Sequence, residues 1–537
     1  MSYVTLTFGI DEDRFVIDSR TTKNIREKKL GDFYWAYADI LRDIGINPST
    51  YDQRIMAFMA LKLLIDNNKL LFNLEYKKNF GMSKELYSKY ESKNSKETFL
   101  NIIRDIKNLG NEHNLKYFKQ DTKYNPDEDE NILTYLNHYK TFELQKYIQE
   151  LPNSYLENVL DIYTYQANFT DYPKEEYKEL YEKTVSRMKK LSGDLTGQHF
   201  TQKSIIHLMC EMVVDKLKDN KKLAIYDPAC GTGSMLMESS EYFKEHTDVE
   251  TIELYGQEMH GQTWLLSKIF LEITNQKNII AYGNTLTNPA FADGLNGGDS
   301  FDFIIANPPF GVDWKHSYDE IVANMKSQKS NFFVVKDAKG KVVTPKKSDG
   351  QFLFMMHIIN LMKKEHKRGK RATASIITSS TLISTGGANS SEAKIRKAVF
   401  NEKLVKAVLE QPKAMFTNTD ITSHIWFLDT NNCNKIKLVK ADNDEEKLFI
   451  AHPNSKDKMK NAYSKENIKK LKEYLISNED REYISKSVDI NRYAINLTNE
   501  IGFKDTDEDL SLDALMGEIN GCVKEMCEEF QKLSLGL

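Results

Sequence analysis

From about Ala224 the chain alternates short β-rich runs with helical stretches, and that alternation narrows its possible folds more than anything else in it. The runs are LAIYD (223–227), IELYG (252–256), IIAYG (279–283), FDFIIAN (301–307), ATASIIT (372–378), VKAVLE (405–410) and HIWFLD (424–429). Helical spacing fills most of the intervals, as from Trp264 to Ile273 and from Phe352 to Lys364. Strands that alternate with helices imply a mainly parallel sheet covered on both faces. The final interval, QPKAMFTNTDITS (411–423), is polar, contains proline and is too short for a helical crossover. The last strand is therefore expected to run antiparallel. The expected architecture is a seven-stranded mixed α/β sheet with its last strand reversed.

The rest of the chain reads differently. Between Leu30 and about Lys190, apolar residues such as Phe33, Tyr37, Ile40 and Leu41 recur at helical spacing. The segment KKLSGDLTG (189–197) has the composition of a boundary. After Asn431 the chain is rich in Lys, Asn and Glu, and it closes on an apolar stripe, Leu512, Leu515, Ile519, Cys522, Met526, Phe530 and Leu533, near heptad spacing. Such a stripe packs either on its own domain or on a partner helix. Three regions are expected: a helical N-terminal domain (1–192), the sheet domain (193–432) and a helical C-terminal region (433–537). A length of 537 residues has room for them.

Composition limits the class of function. Forty per cent hydrophobic and 28% charged residues suit a folded globular chain, not a disordered or fibrous one. No window approaches the roughly 20 apolar residues of a membrane helix, and no signal peptide is visible. Five cysteines without a CxxC pair suggest neither a disulfide framework nor a metal site, and a reduced, cytoplasmic setting is expected. Seventy-four basic against 78 acidic residues leave a net charge of −4, so any nucleic acid must meet a local basic patch or come with a partner.

Three constellations carry chemistry. Asp227-Pro228-Ala229-Cys230-Gly231-Thr232-Gly233-Ser234 follows the first strand and opens a helix. Its glycines allow a tight turn and close approach to a ligand, yet the spacing is neither GxGxxG nor a P-loop. Glu258, ending the second strand, is placed to accept both hydroxyls of a ribose. Asn307-Pro308-Pro309-Phe310 follows the fourth strand. Its prolines stiffen the turn, so the carbonyls of Asn307 and Pro308 are presented as acceptors and Phe310 as a flat face. A planar substrate bearing an NH₂ group would donate both protons to those carbonyls and stack on the ring. Its nitrogen lone pair would then face an electrophile without prior deprotonation.

On residues 227–234 and 307–310 the chain resembles the amino-group DNA methyltransferases, and more closely the modification subunits of type I restriction-modification systems, over about residues 30–430. Gln198-His199-Phe200-Thr201-Gln202-Lys203 is similar to the family's segment that touches the methionine end of S-adenosylmethionine. Gln202 stands where the family usually has proline, and Thr201 is expected to cap the following helix. Asn284 stands where many relatives carry Asp, keeping a carbonyl for the cofactor's adenine. The resemblance implies methyl transfer from S-adenosylmethionine to the 6-amino group of adenine in double-stranded DNA. The cofactor would be held by 198–203, Asp227, Gly231, Thr232, Gly233, Ser234, Glu258 and Asn284, with no metal. It also implies a separate specificity subunit and a second copy of this chain, with room for a restriction subunit, and an N-terminal region touching DNA and neighbouring subunits. Two other readings are a methyltransferase for another planar amine or amide (an RNA base or a protein glutamine) and a catalytically silent scaffold. The lysine-bearing segment 312–350 is expected to be a surface loop beside the active-site mouth.

Overall fold

The computed structural model describes most of residues 201–502 and, upstream, only isolated positions such as Ala38, Leu41 and Leu156. The expected helical N-terminal domain, the residues Gln198, His199 and Phe200, and the stripe from Leu512 to Leu533 lie outside the described residues.

The chain enters on α1 (Lys203–Leu217), then runs β1 (Lys222–Asp227), α2 (Ser234–His246), β2 (Thr251–Glu258), β3 (Lys277–Tyr282) and β4 (Phe303–Ala306). After β4 come α3 (Tyr318–Lys326), α4 (Gln351–Lys367), β5 (Thr373–Ser379), α5 (Thr381–Ser384), α6 (Ser391–Asn401), β6 (Val405–Glu410) and β7 (Ser423–Asp429). All seven expected strands are present. β1 to β5 are mutually parallel where they pair, and β7 lies antiparallel between β5 and β6. The inner strands are apolar throughout because both faces are covered. Every residue of β4 and β5 is buried.

The sheet is larger than expected. Its order is β11-β8-β6-β7-β5-β4-β1-β2-β3, nine strands in all. β8 (Lys435–Lys440) and β11 (Ser485–Asp489) come from the region expected to be helical, which also supplies β9 (Ile450–Ala451), β10 (Asn461–Ala462), α7 (Lys465–Ile476) and α8 (Leu497–Ile501). The described part of that region is therefore mixed, and it extends the sheet. The lysines of KIKLVK conceal the period-two pattern: Ile436 and Leu438 are fully buried, and the stem of Lys437 is buried while its Nζ reaches Asp480 at 2.9 Å.

Segment 312–350 is not a plain loop either. It carries α3 and a short hairpin bridged at Lys336 and Val342. Trp314, Ile321, Met325, Phe332, Val335 and Val343 join the core cluster that fills this face of the sheet.

In the order β5-β4-β1-β2-β3 the strands are all parallel, and the order in which the chain adds them reverses between β4 and β1. A crevice opens at the carboxyl ends of the strands on either side of such a switch point, and ligands bind there. The loops after β1, β2, β3 and β4 all reach that edge.

Candidate active site

The glycine turn is built by conformation and by close packing. Gly231 has φ +54° and Gly233 φ +81°, both in the left-handed region that favours glycine. A Cβ on Gly231 would meet nothing within 4 Å, so the turn leaves room beside it. A Cβ on Gly233 would lie 3.2 Å from that of Ser267. Gly233 therefore fits the turn to the segment after β2, ends as the N-cap of α2, and does not line the pocket. Below the turn, Gly256 on β2 makes room for Cys230: an added Cβ would fall 2.8 Å from its Sγ.

Two buried carboxylates brace the turn. Asp227 Oδ1 accepts the Ala229 amide at 2.9 Å. Burial pushes the Asp227 carboxyl up to about 7, with nearby Glu258 adding to the rise. Glu258 accepts the His260 amide on Oε1 at 2.7 Å and the Gly231 amide on Oε2 at 3.1 Å. Burial also raises its pKa. Glu258 thus ties the end of β2 to the glycine turn, and with about four acceptor sites the carboxylate keeps capacity beyond its backbone amides.

The β3 and β4 loops complete the wall. The Asn284 side-chain oxygen accepts the Leu286 amide at 2.9 Å, so part of the acceptor expected for a cofactor ring serves its own turn. Thr285 Oγ1 donates to the Pro228 carbonyl at 2.5 Å and joins this loop to the first. Asn307 donates from Nδ2 to Thr201 Oγ1 at 2.9 Å. Pro308 is buried, and Pro309 lines the pocket with Phe354 of α4. The Phe310 ring meets that of Phe416 edge to face, centroids 6.0 Å apart at 75°; Phe416 itself is buried.

One pocket therefore brings together Thr201, Asp227, Gly231, Thr232, Ser234, Glu258, Asn284, Asn307 and Pro309 from the expected set. Gln202 and Lys203 do not line it. Gln202 Nε2 donates to the carbonyls of Met415 at 2.9 Å and Asn461 at 3.0 Å, and Lys203 Nζ pairs with Glu238 at 2.6 Å. Thr201 does not cap α1: the N-cap is Gln202, without a side-chain cap bond, while the Thr201 hydroxyl donates to Met235 Sδ at 3.2 Å. Reading along the sequence also passes over Met235, Gln257, His260 and Phe354, which line the pocket. Closeness in sequence to Glu258 is a usable signal for Gln257 and His260; Phe354 sits on a distant helix and has none.

A family model described as N-6 DNA Methylase matches residues 174–509, more than half of the chain. The type I restriction enzyme HindI methylase subunit of Haemophilus influenzae is 28% identical over 266 residues, 49% of this chain and 53% of that protein. The MjaIX methylase subunit of Methanocaldococcus jannaschii is 23% identical over 379 residues, 67% of this chain and 62% of that protein. The chain thus spans between about half and two thirds of the length of these curated relatives. Among solved structures, the type I restriction-modification system methyltransferase subunit from Streptococcus thermophilus shares the fold, with a TM-score of 0.58 at 19% identity over 88% of this chain and 100% of that one. With its two sequence motifs facing each other across the switch point and the family model spanning the whole sheet, the chain belongs to the N-6 DNA methylase family.

Proposed function

We propose that this chain is the modification subunit of a type I restriction-modification complex and methylates the 6-amino group of adenine in duplex DNA. The observation that carries the reading is the placement of Asn307 and Pro309, just past the carboxyl end of β4, in one pocket with the glycine turn and Glu258. The relatives are methylase subunits of type I restriction enzymes. By that likeness a specificity subunit chooses the sequence, a second copy of the chain joins it, and a restriction subunit completes a nuclease form. Residues 1–192 would serve those contacts.

The residues suit S-adenosylmethionine. A turn open beside Gly231 admits a ligand, Glu258 keeps lone pairs for a ribose diol, and the buried carboxylates favour a cationic ligand. Thr201, Asp227, Thr232, Ser234, Glu258 and Asn284 would hold it; when bound it supplies an electrophilic methyl group on sulfonium.

The chain's own part is positioning. An adenine inside a duplex is unreachable, so the base must swing out of the stack into the pocket. The side-chain carbonyl of Asn307 and the backbone carbonyl of Pro308 accept its two amino protons, which turns the nitrogen lone pair out of the ring plane. Phe310, buttressed by Phe416, supports the ring face. Thr201 holds the amide of Asn307 by its nitrogen, so its oxygen is the end offered to substrate. After transfer the surplus proton on nitrogen leaves to water.

The test is methylation of duplex DNA by the chain assembled with its specificity subunit, read as N6-methyladenine by mass spectrometry of digested DNA. Methyl groups on cytosine, RNA or protein instead would reject the assignment.

A further inference from the structure

Between the catalytic loop and α4 the chain inserts residues 311–350, built as an apolar base under a lysine rim. Trp314 is 3% exposed, Phe332 2% and Val343 7%, all packed into the main core. Lys336, Lys339, Lys341, Lys346 and Lys347 are exposed. The hairpin that carries the first three is held by Val343 N to Val335 O at 2.9 Å and by Asp337 Oδ1, which accepts the amides of Lys339 and Lys341. The backbone at Lys346 and Lys347 is pinned harder. Lys346 N donates to Glu392 Oε1 at 3.0 Å, and the Lys346 and Lys347 carbonyls accept Trp314 Nε1 at 2.8 Å and Trp314 N at 2.9 Å.

None of the five ammonium groups forms an ion pair among the described residues; Lys347 lies over the Tyr318 ring, 3.5 Å from its centroid. The nearby carboxylates are largely engaged. Asp313 pairs with Lys315 at 2.8 Å, and Asp349 accepts Gln351 N at 3.1 Å and Thr381 Oγ1 at 3.0 Å, while Asp319 and Glu320 stay exposed on α3. Five exposed cations on a pinned backbone therefore fall within twelve residues of a chain of net charge −4.

Their place is set by the catalytic loop. Gly350 N donates to Val312 O at 2.9 Å, two residues past Phe310, and α4 then brings Phe354 to the pocket. Three residues of chain span at most about 11 Å, so Lys347 stays at the mouth.

We propose that this rim seats phosphates of the duplex on either side of the base presented to Asn307. The proposal rests on the reading of the chain as a DNA methyltransferase and names the surface that would take the backbone. Ammonium groups on a fixed backbone grip phosphate as point charges and read no bases. That fits a subunit whose sequence choice is made elsewhere.

The test is a salt titration of the full chain with a short fluorescein-labelled duplex of arbitrary sequence. It compares wild type with the triple variant Lys339→Ala, Lys346→Ala, Lys347→Ala, and with Lys435→Ala at the opposite end of the sheet as control. The expected result is a slope of log K against log salt shallower by up to about 0.9 for each phosphate that the triple variant no longer neutralises. Affinity at low salt should fall at least tenfold, S-adenosylmethionine binding should stay unchanged, and Lys435→Ala should behave as wild type. Equal slopes, an equal loss in Lys435→Ala, or binding of an RNA hairpin in preference to duplex DNA would overturn the proposal. So would a wild-type chain with no salt-dependent duplex binding. Failure of the catalytic reading is separable: Asn307→Ala would then still methylate while the slope difference persisted.

Discussion

The amide nitrogen of Asn307 donates to the hydroxyl of Thr201 at 2.9 Å, across 106 residues of sequence. An asparagine amide presents a donor at one end and an acceptor at the other. A fixed acceptor at Thr201 thus decides which end would meet the proposed substrate.

Thr201→Val keeps the branched shape and removes that acceptor. Losing one hydrogen bond between neutral groups costs about 0.5–1.5 kcal/mol, and roughly 1.4 kcal/mol is tenfold in rate. The methylation rate constant in a single turnover should fall by up to about tenfold, and Thr201→Ser should restore it. A Thr201→Val enzyme at wild-type rate would remove Thr201 from this role.

Gln202 is assigned to the scaffold. Its Nε2 joins the start of α1 to the carbonyls of Met415 and Asn461, and the side chain is buried. Gln202→Ala should destabilise the chain by about 1–3 kcal/mol, the cost of buried groups left without partners. Calorimetry should find S-adenosylmethionine affinity unchanged; a large loss of affinity at unaltered stability would return Gln202 to the pocket.

Asp227 should make stability fall as pH rises. Burial raises its folded pKa from 3.8 to about 7, so between those values the folded state holds a proton that the unfolded state has lost. The destabilisation is absent below the lower value and fully present above the upper one. Asp227→Asn keeps an acceptor for the Ala229 amide and removes the charge. Its stability relative to wild type should therefore increase with pH, by on the order of a few kcal/mol once above neutrality. Denaturant melts at acid, neutral and mildly basic pH measure this; a constant difference would contradict it.

Gly256→Ala would press a methyl group against Cys230 Sγ and Ile280 Cδ1, 2.8 and 2.9 Å from the new Cβ. Overpacking of this kind costs about 1–3 kcal/mol, and here it pushes on the glycine turn. Cofactor binding and stability should both suffer, and adding Cys230→Ala should recover part of each. A double-mutant cycle reads the coupling; strict additivity would show that the two side chains do not compete for the space.

Much of the fold is legible along the chain, for physical reasons. Strands such as FDFIIAN are apolar on both faces because helices cover both, and a short polar link before HIWFLD leaves antiparallel pairing as the available choice. The site loops are readable because each follows a strand directly, so local order places Gly231, Glu258 and Asn307 on one edge. Partnerships made across the fold are not legible. Gln202 sits 213 residues from Met415 and 259 from Asn461, and nothing local signals either bond. β8 escapes notice because the lysines in KIKLVK look like surface by composition, although Lys437 runs its stem through the core edge.

In the proposed mechanism Asn307 acts on the substrate amine and not on the cofactor. The most direct measurement is adenine methylation by Asn307→Ala in the assembled complex, alongside its S-adenosylmethionine affinity by calorimetry. No detectable N6-methyladenine is expected, with affinity close to wild type. Methylation near the wild-type rate, or loss of cofactor binding as the cause of inactivity, would contradict it.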